Sequence, residues 1–457
     1  MKQASPRILP VRGTGMLMIE GSAGKDLTVW KTNRISTKMK TLRKLSLVII
    51  LSFSTIPLLI SQEGIAMNEY KTDFVPYQYQ DPWRGNKTDT LFPSKVLGYD
   101  KNVTIFTPEK YGWHPDEKYA LIIMYDRQDV RIIDDLLKSV DILESYGQIP
   151  RTVVVGIQSG RGYDQRRREA KWGLDGSNAY GEKYDEFVFR ELLPHVMDKY
   201  RIDRNQVIVY GHSWFGYHTS MILVKHIPEL LAVISASPCC PGTMLIDDIV
   251  SAVAGADTLK RKFFLRIASG HDIGDDLNVY RELTGKIALA RLPDNVDYKP
   301  TWFHAAMHME VPGLLFRQAL YEIYSDWADL AFAYADPENC PTFDDPRLYD
   351  SLQALSDNKY GFRIPIYDRH LAMRVEYYRY IKDENIKNQG KIATWKFMIS
   401  KYGESPDLYF KIAETYELMK DQAGAKEYLD KVKNCQLNEA WKTKVKELEK
   451  KIRDLNK

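Results

Sequence analysis

The stretch that decides the fold of this chain is QVIVYGHSWFG, residues 206–216. Its β-branched run predicts a short buried strand that ends at Gly211, and residues 214–227 read as a helix. Ser213 then falls on the sharp turn between strand and helix, which is the arrangement of a nucleophile elbow. Such a turn exposes the serine hydroxyl above the sheet, and the helix behind it directs free N–H groups towards developing negative charge.

The elbow departs from the usual pattern G-x-S-x-G at its last position. Phe215 stands where the second glycine is expected, and Gly216 follows one residue later. A G-x-S triplet alone also fits a serine at an ordinary turn, so the rest of the chain has to decide between the two interpretations.

Apolar runs alternate with amphipathic helices on both sides of this stretch. This alternation predicts an α/β fold with a mostly parallel sheet that is covered by helices on both faces. Residues 68–95 read as an extended lead-in. Strands are expected at 96–99, 103–107, 120–124, 151–157, 231–236, 262–268 and 296–303, and helices at 129–146, 187–200, 279–290 and 312–333.

Composition and charge exclude several classes of function. The chain is 44% hydrophobic and 27% charged, which is typical of a globular protein. Its net charge is +3, but residues 1–61 hold ten basic and two acidic residues, so the remainder is acidic at −5. An acidic folded part argues against nucleic acid as a partner. The spacing of the four cysteines does not resemble that of a zinc site; they are Cys239, Cys240, Cys340 and Cys435. The sequence also contains no cofactor motif, so we expect neither a metal nor a cofactor.

The basic excess belongs to a segment that resembles a secretory signal. Four basic residues in 38–44 precede residues 45–60, which are 16 residues without a charge. This run is short for a membrane span and contains Pro57, so a cleaved signal is favoured over an anchor. Cleavage is expected after Ser61 or Ala66, which makes the mature protein periplasmic or secreted with no stable membrane insertion.

A signal normally opens a chain, so residues 1–38 read as an upstream extension. Met39 is then the expected start of the translated protein.

A serine nucleophile needs a base and an acid, and both have candidates beyond later strands. A histidine takes the hydroxyl proton, and a carboxylate orients that histidine. Asp272 follows the strand expected to end at residue 268, with Asp275 and Asp276 as alternatives. His308 follows the last expected strand, and His304 is a rival that falls within it or at its end.

Residues 94–335 resemble the putative-esterase branch of the α/β-hydrolases, which includes siderophore esterases and esterase-D-like enzymes. The sequence segments that carry the resemblance are VTIFTP (103–108), LIIMYD (121–126) with Gln128, VVVGI (153–157) with Arg161 and Asp164, ELLP (191–194), ISASP (234–238) and His308 with Val311 and Pro312. The resemblance implies an α/β-hydrolase fold and an ester-hydrolysing Ser213–His308–Asp272 triad.

The resemblance also implies how the oxyanion is held. The backbone N–H of Trp214 and one near Arg127 or Gln128 are the expected donors. Arg127 stands where the family usually has glycine, and Phe215 replaces the elbow glycine. Phe215 and Arg161 are expected at the substrate pocket, where bulky residues would reshape the pocket or weaken catalysis.

The C-terminal part changes character after residue 336. Residues 405–419 and 422–434 read as a helix pair, and 391–402 resembles the second helix of a preceding pair, which is similar to tetratricopeptide packing. We expect an extension and signal in 1–66, the catalytic domain in 67–336, a linker in 337–367 and a helical domain in 368–457. The few repeats favour docking on the catalytic domain, and a groove for a protein partner is the alternative.

The sequence therefore predicts an exported serine esterase acting on a small soluble ester. The alternative is a binding or scaffold protein on a hydrolase fold, in which Phe215 and Arg127 close the site.

Overall fold

A single eight-stranded sheet organises the part of the chain that the structure, a computed structural model, describes. That part is residues 82–455 apart from 110, 112–116, 161, 174–178, 240–243, 336–345, 436 and 438. The strands are β1 (Asn86–Ser94), β2 (Tyr99–Thr107), β3 (Tyr119–Tyr125), β4 (Thr152–Ile157), β5 (Ile202–His212), β6 (Ala232–Ala236), β7 (Phe263–His271) and β8 (Val296–Met307).

Helices follow most strands and continue alone after β8. The α-helices are α1 (Val130–Ser145), α2 (Gly162–Ala170), α3 (Gly181–Glu186), α4 (Leu193–Lys199), α5 (Trp214–Met221), α6 (Leu223–His226), α7 (Ile246–Ala254), α8 (Gly274–Leu289), α9 (Val311–Ala335), α10 (Pro346–Tyr360), α11 (Asp368–Tyr377), α12 (Glu384–Tyr402), α13 (Pro406–Leu418), α14 (Gln422–Lys433) and α15 (Glu439–Asp454). A π-helical turn (Phe187–Leu192) joins α3 to α4, and 3-10 turns lie at Ile227–Glu229, Ala256–Thr258 and Tyr378–Tyr380.

The sheet has the order β1-β2-β4-β3-β5-β6-β7-β8. Strands β3 to β8 are parallel, and β1 and β2 form an antiparallel hairpin at one edge, with β2 antiparallel to β4. The predicted α/β fold with a mostly parallel sheet is confirmed.

Both faces of the central strands are buried, which explains their continuous apolar sequences. In β3, Leu121 and Ile123 pack into the core on one face, and Ile122 and Met124 pack into the core on the other. Successive strand residues point to opposite faces, so a strand covered on both sides is apolar at every position.

The start of the sheet differs from the prediction. Residues 95–98 form a turn, although a strand was expected at 96–99, and Gly98 has φ +75° there. The hairpin pairs Ser94 with Tyr99, so β1 lies within the segment that was expected to be an extended lead-in. Strand β1 is polar and mostly exposed, so its sequence lacks the apolar pattern of a strand; an edge strand needs little burial.

Strand β8 extends to Met307, four residues beyond the predicted end. His304 therefore lies within the strand, and His308 is the first residue after it. The end of β8 therefore distinguishes the two histidines that the sequence left as candidates for the catalytic base.

The C-terminal helices pack on the sheet domain through buried polar contacts. On α9, the Trp327 indole N–H donates to the Ile364 carbonyl at 3.2 Å. On α11, Asp368 pairs with Arg151, and His370 Nε2 donates to the Gly147 carbonyl at 2.9 Å. The predicted helix pair is present as α13 and α14, and its likeness to tetratricopeptide repeats stays a prediction, as do the domain boundaries.

The helices and cysteines allow two further observations. Among the described residues, no helix combines the length and apolar character needed to cross a bilayer. Cys239 forms a disulfide, whereas Cys435 is a free thiol. The expected signal segment, 45–60, lies outside the described residues.

Candidate active site

The carboxyl ends of the parallel strands bring the predicted residues to one edge of the sheet. Asp126 follows β3, Ser213 follows β5, Asp272 follows β7 and His308 follows β8. Asp126 and Ser213 both have φ +60°, which is uncommon for residues with a side chain. Backbone strain of this kind persists only where the surrounding structure fixes it, and it clusters at functional sites.

Ser213 occupies a strained elbow between β5 and α5. Its backbone has φ 60° and ψ −117°, and its N–H donates to the Ala236 carbonyl at 2.9 Å. A Cβ at Gly211 would lie 2.1 Å from the carbonyl oxygen of Phe215, so glycine is required there by the returning backbone. This is the geometry of a nucleophile elbow, with the serine as the first residue beyond the strand.

The unusual Phe215 does not lie in the pocket, which corrects its predicted role. Its side chain is fully buried and stacks on Tyr125, with ring centroids 4.8 Å apart. The close approach of α5 to β6 falls on Gly216, where a Cβ would lie 2.5 Å from the Ala236 carbonyl oxygen. Gly216 therefore takes the place of the second glycine of the usual motif, one position later, and the Phe215 side chain fills the core beneath the elbow.

His308 and Asp272 form a hydrogen-bonded pair. His308 Nδ1 lies 2.6 Å from Asp272 Oδ1, and the Asp272 side chain is 1% exposed against 31% for His308. Asp272 Oδ2 also accepts from the Ser269 hydroxyl and, at 3.4 Å, from the Gly270 N–H. The alternatives Asp275 and Asp276 lie in the first turn of α8, and the contact with His308 belongs to Asp272.

These contacts fix the charge state of the acid. Burial acts to raise the pKa of Asp272, but the hydrogen bonds from His308 and Ser269 outweigh it, and the pKa lies well below its usual range. An ionised Asp272 only accepts, so His308 carries its proton on Nδ1 and Nε2 remains as a base.

Ser213 and His308 line the same cavity, which has a volume of about 690 Å³. Gln128, Arg166 and Met309 also line it. Within the described part of the chain, the Ser213 hydroxyl makes no hydrogen bond. A rotation of χ1 about Cα–Cβ moves the Ser213 Oγ, and catalytic contacts of this kind commonly tighten only when substrate binds. Ser213 and His308 thus share one cavity, where a substrate could contact both side chains.

His212 links the elbow to the loop that carries the base. Its Nε2 donates to the His308 carbonyl at 3.1 Å, and the two imidazole rings are 4.6 Å apart. Burial, reinforced by His308 and Arg166, lowers the pKa of His212 to about 3. His212 is neutral in the working range of pH, so it serves as a donor that holds the His308 backbone.

Among the predicted oxyanion donors, the backbone N–H of Arg127 is excluded because it already donates a hydrogen bond within the protein. Its N–H donates to the Ile157 carbonyl at 3.0 Å, and its guanidinium lies over the Phe106 ring at 5.3 Å. Gln128 N–H has no partner among the described residues, and Trp214 N–H is one of the free donors at the start of α5. Trp214 and Gln128 are thus the two candidates that the geometry retains.

A buried polar network that the sequence did not reveal surrounds the loop after β3. The Arg166 guanidinium donates to both oxygens of Asp126, at 2.7 to 2.9 Å, and to the His212 carbonyl at 3.0 Å. The Ser159 hydroxyl donates to Asp126 and accepts from Gln128 Nε2, and Ser159 N–H donates to Gln128 Oε1 at 2.9 Å. The arginine expected at the pocket was Arg161, which lies outside the described residues.

Comparisons with known proteins agree with this architecture. Residues 94–282 match the model of the family described as Putative esterase. The chain is 27% identical over 135 residues to the uncharacterized protein YjcH of Bacillus subtilis strain 168, a match that covers 30% of this chain and 52% of that protein. The match thus spans about half the length of this curated relative.

Solved structures share this fold, and two of them serve as examples. An uncharacterised protein of Capnocytophaga ochracea superposes with a TM-score of 0.52 at 16% identity, over 81% of this chain and 99% of its own. An IroE-like serine hydrolase of Shewanella oneidensis also gives 0.52 at 16% identity, over 68% and 99%. At this identity they show the fold alone, and the match of residues 94–282 to the Putative esterase model confirms the predicted resemblance to that family.

Proposed function

We propose, from the match of residues 94–282 to the family described as Putative esterase, that this chain hydrolyses carboxylic esters with Ser213 as nucleophile. The observation that carries the proposal is the 2.6 Å bond between His308 and the ionised Asp272, in a loop that shares a cavity with the strained Ser213. Together they match the chain order Ser, Asp, His of this fold.

The proposed reaction has two half-reactions. Ser213 Oγ attacks the ester carbonyl carbon while His308 Nε2 takes the hydroxyl proton. The tetrahedral intermediate then expels the alcohol oxygen, which leaves with the proton from His308, and the acyl group stays on Ser213. Water attacks this acyl-enzyme, again with His308 as base, and the acid leaves as the Ser213 hydroxyl is restored.

Charge develops on the carbonyl oxygen in both half-reactions. The N–H groups of Trp214 and Gln128 are the proposed donors to that oxygen, and each contributes about 3 kcal/mol to the lowering of the barrier. Asp272 stabilises the imidazolium that His308 becomes and keeps its ring oriented.

The lining of the cavity supports a small, polar ester as substrate. Gln128, Arg131, Gln158 and Arg166 contribute polar or charged side chains to it. An acyl-sugar or a siderophore-type lactone fits this description, and activity against a panel of such esters tests it. The alternative of a binding or scaffold protein requires Phe215 and Arg127 to close the site; the burial of Phe215 in the core and the position of the Arg127 guanidinium over the Phe106 ring favour the esterase.

Hydrolysis of 4-nitrophenyl acetate and labelling by a fluorophosphonate test the nucleophile. The wild-type chain is expected to show both, and Ser213→Ala to lose both. Ser251→Ala, which changes an exposed serine on α7, is the matched control and should behave as wild type. Equal labelling of Ser213→Ala would remove the assignment.

We also propose that the protein is exported to the periplasm or secreted. The uncharged run 45–60 behind four basic residues supports a signal peptide, and the disulfide at Cys239 suits an oxidising compartment. Expression from Met39 in a bacterial host, with N-terminal sequencing of the periplasmic fraction, should find cleavage after Ser61 or Ala66. Full-length protein confined to the membrane pellet would contradict a cleaved signal.

A further inference from the structure

Arg166 contacts two backbone segments that each lead to an oxyanion donor. Its guanidinium binds the Asp126 carboxylate through three hydrogen bonds and the His212 carbonyl through a fourth. Gln128 lies two residues beyond Asp126, and Trp214 lies two residues beyond His212. One side chain therefore spans the two loops whose separation determines whether both donors reach the same oxygen.

The contact with Asp126 fixes a strained backbone. Asp126 has φ +60°, and this conformation turns the chain at the end of β3 and sets the direction of the peptide groups that follow. Such strain costs about 1 to 3 kcal/mol in general and persists only when neighbouring groups hold it. Arg166 and Ser159 hold the carboxylate, and Ser159 also binds both ends of the Gln128 amide.

Arg166 and Asp126, here called the clamp, hold each other firmly because their charges are largely sheltered from solvent and their hydrogen-bonding groups match in shape. The side chains of Arg166 and Asp126 are 20% and 11% exposed. A planar guanidinium presents its donors in a fixed fork that fits a carboxylate, whereas lysine supplies a flexible point charge. The same Nη2 that donates to Asp126 also donates to the His212 carbonyl at 3.0 Å.

We propose that Arg166 is a positioning residue that sets the distance between the Gln128 and Trp214 N–H groups. The role rests on the proposed esterase function and acts through these two donors. A donor displaced by about 1 Å costs roughly 100-fold in rate. Loss of the Arg166 side chain should therefore lower kcat, which reports transition-state stabilisation, more than it raises KM.

The test compares Arg166→Gln with wild type on 4-nitrophenyl acetate, an ester without charge. The expected result is a kcat lowered about 100-fold with KM changed less than about threefold. The affinity for a trifluoromethyl ketone, which forms an oxyanion on the serine, should fall by a similar factor. Arg84→Gln, which breaks the surface pair of Arg84 with Asp141, is the matched control and should keep its kcat.

Two further variants keep the test decisive if Arg166→Gln folds poorly. Asp126→Asn keeps the shape of the carboxylate and should lose kcat to a similar extent, and Arg166→Lys should retain an intermediate rate. In a folded double variant, the losses should not multiply, since both residues belong to one clamp.

The contrary outcomes are distinct. A raised KM with unchanged kcat in Arg166→Gln would make Arg166 a substrate-binding residue and overturn the clamp. Unchanged kcat in folded Arg166→Gln or Asp126→Asn, beside an active wild type, would also overturn it. A wild-type chain that hydrolyses no ester would remove the proposed function and this role together.

Discussion

His212 Nε2 donates a hydrogen bond of 3.1 Å to the carbonyl oxygen of His308, which joins the residue before the nucleophile to the residue proposed as base. The donor is buried and neutral, with its pKa lowered to about 3. The elbow and the loop after β8 come from strands that are three positions apart in the sheet. This bond therefore fixes the backbone of His308 directly to the turn that carries Ser213.

Replacing His212 by phenylalanine should lower kcat for a neutral ester about tenfold or more, because the His308 backbone loses its only side-chain tether to the elbow among the described residues. His212→Gln retains an N–H donor and should lose less. Steady-state kinetics of the folded variants measure both. His304→Asn, on the exposed side of β8, is the control, and an equal loss in that variant would assign the effect to general loosening of β8.

Asp272→Asn should lower kcat by roughly 10⁴-fold with the fold intact. The asparagine amide favours the wrong tautomer of His308, and it does not stabilise the imidazolium that forms during the reaction. Asp275→Asn and Asp276→Asn should stay within about threefold of wild type. Pre-steady-state and steady-state rates with 4-nitrophenyl acetate separate the three. If Asp275→Asn or Asp276→Asn lost the rate instead, the acid would have been misassigned.

The order of the catalytic groups could be predicted from the sequence because it follows from topology. Ser213, Asp272 and His308 each come directly after a strand of a parallel sheet, so their side chains share one edge. The sequence favoured Asp272 but left Asp275 and Asp276 open, since three carboxylates within five residues differ only in the course of one turn. The hydrogen bond to His308 distinguishes them.

The network around Arg166 was hidden for a related reason. Arg166, Arg167 and Arg168 are consecutive, and neighbouring helical residues point in directions about 100° apart. Only the placement of α2 against the elbow decides which of them reaches Asp126. Likewise, the bond of Arg127 N–H to Ile157 depends on how β3 and β4 end beside each other.

Phe215→Ala should destabilise the fold by about 3 to 5 kcal/mol, since it empties a fully buried site in the core beneath the elbow. Urea denaturation measures the change in free energy of unfolding. Leu418→Ala, at a residue that is 70% exposed on α13, is the control and should change little. Unchanged stability together with an altered KM in Phe215→Ala would return this residue to the substrate pocket.

Glu144→Gln should stabilise the protein at alkaline pH and have little effect in acid. Burial raises the pKa of Glu144 from 4.5 to about 8, although the Thr152 N–H bond and Arg151 act in the opposite direction. Between these two values the folded chain keeps a proton that the unfolded chain has released, so this group lowers stability as the pH rises from about 4.5 to 8.

Glutamine carries no such proton and can still accept from Thr152 through its amide oxygen. The Tm of Glu144→Gln should therefore exceed that of wild type by at least about 2 °C at pH 8 and approach it at pH 4.5. Thermal unfolding across this range measures the difference, with Glu447→Gln on α15 as a control for the removal of an exposed carboxyl. A Tm difference that stays constant from pH 4.5 to 8 would mean that Glu144 ionises alike in the folded and unfolded chain.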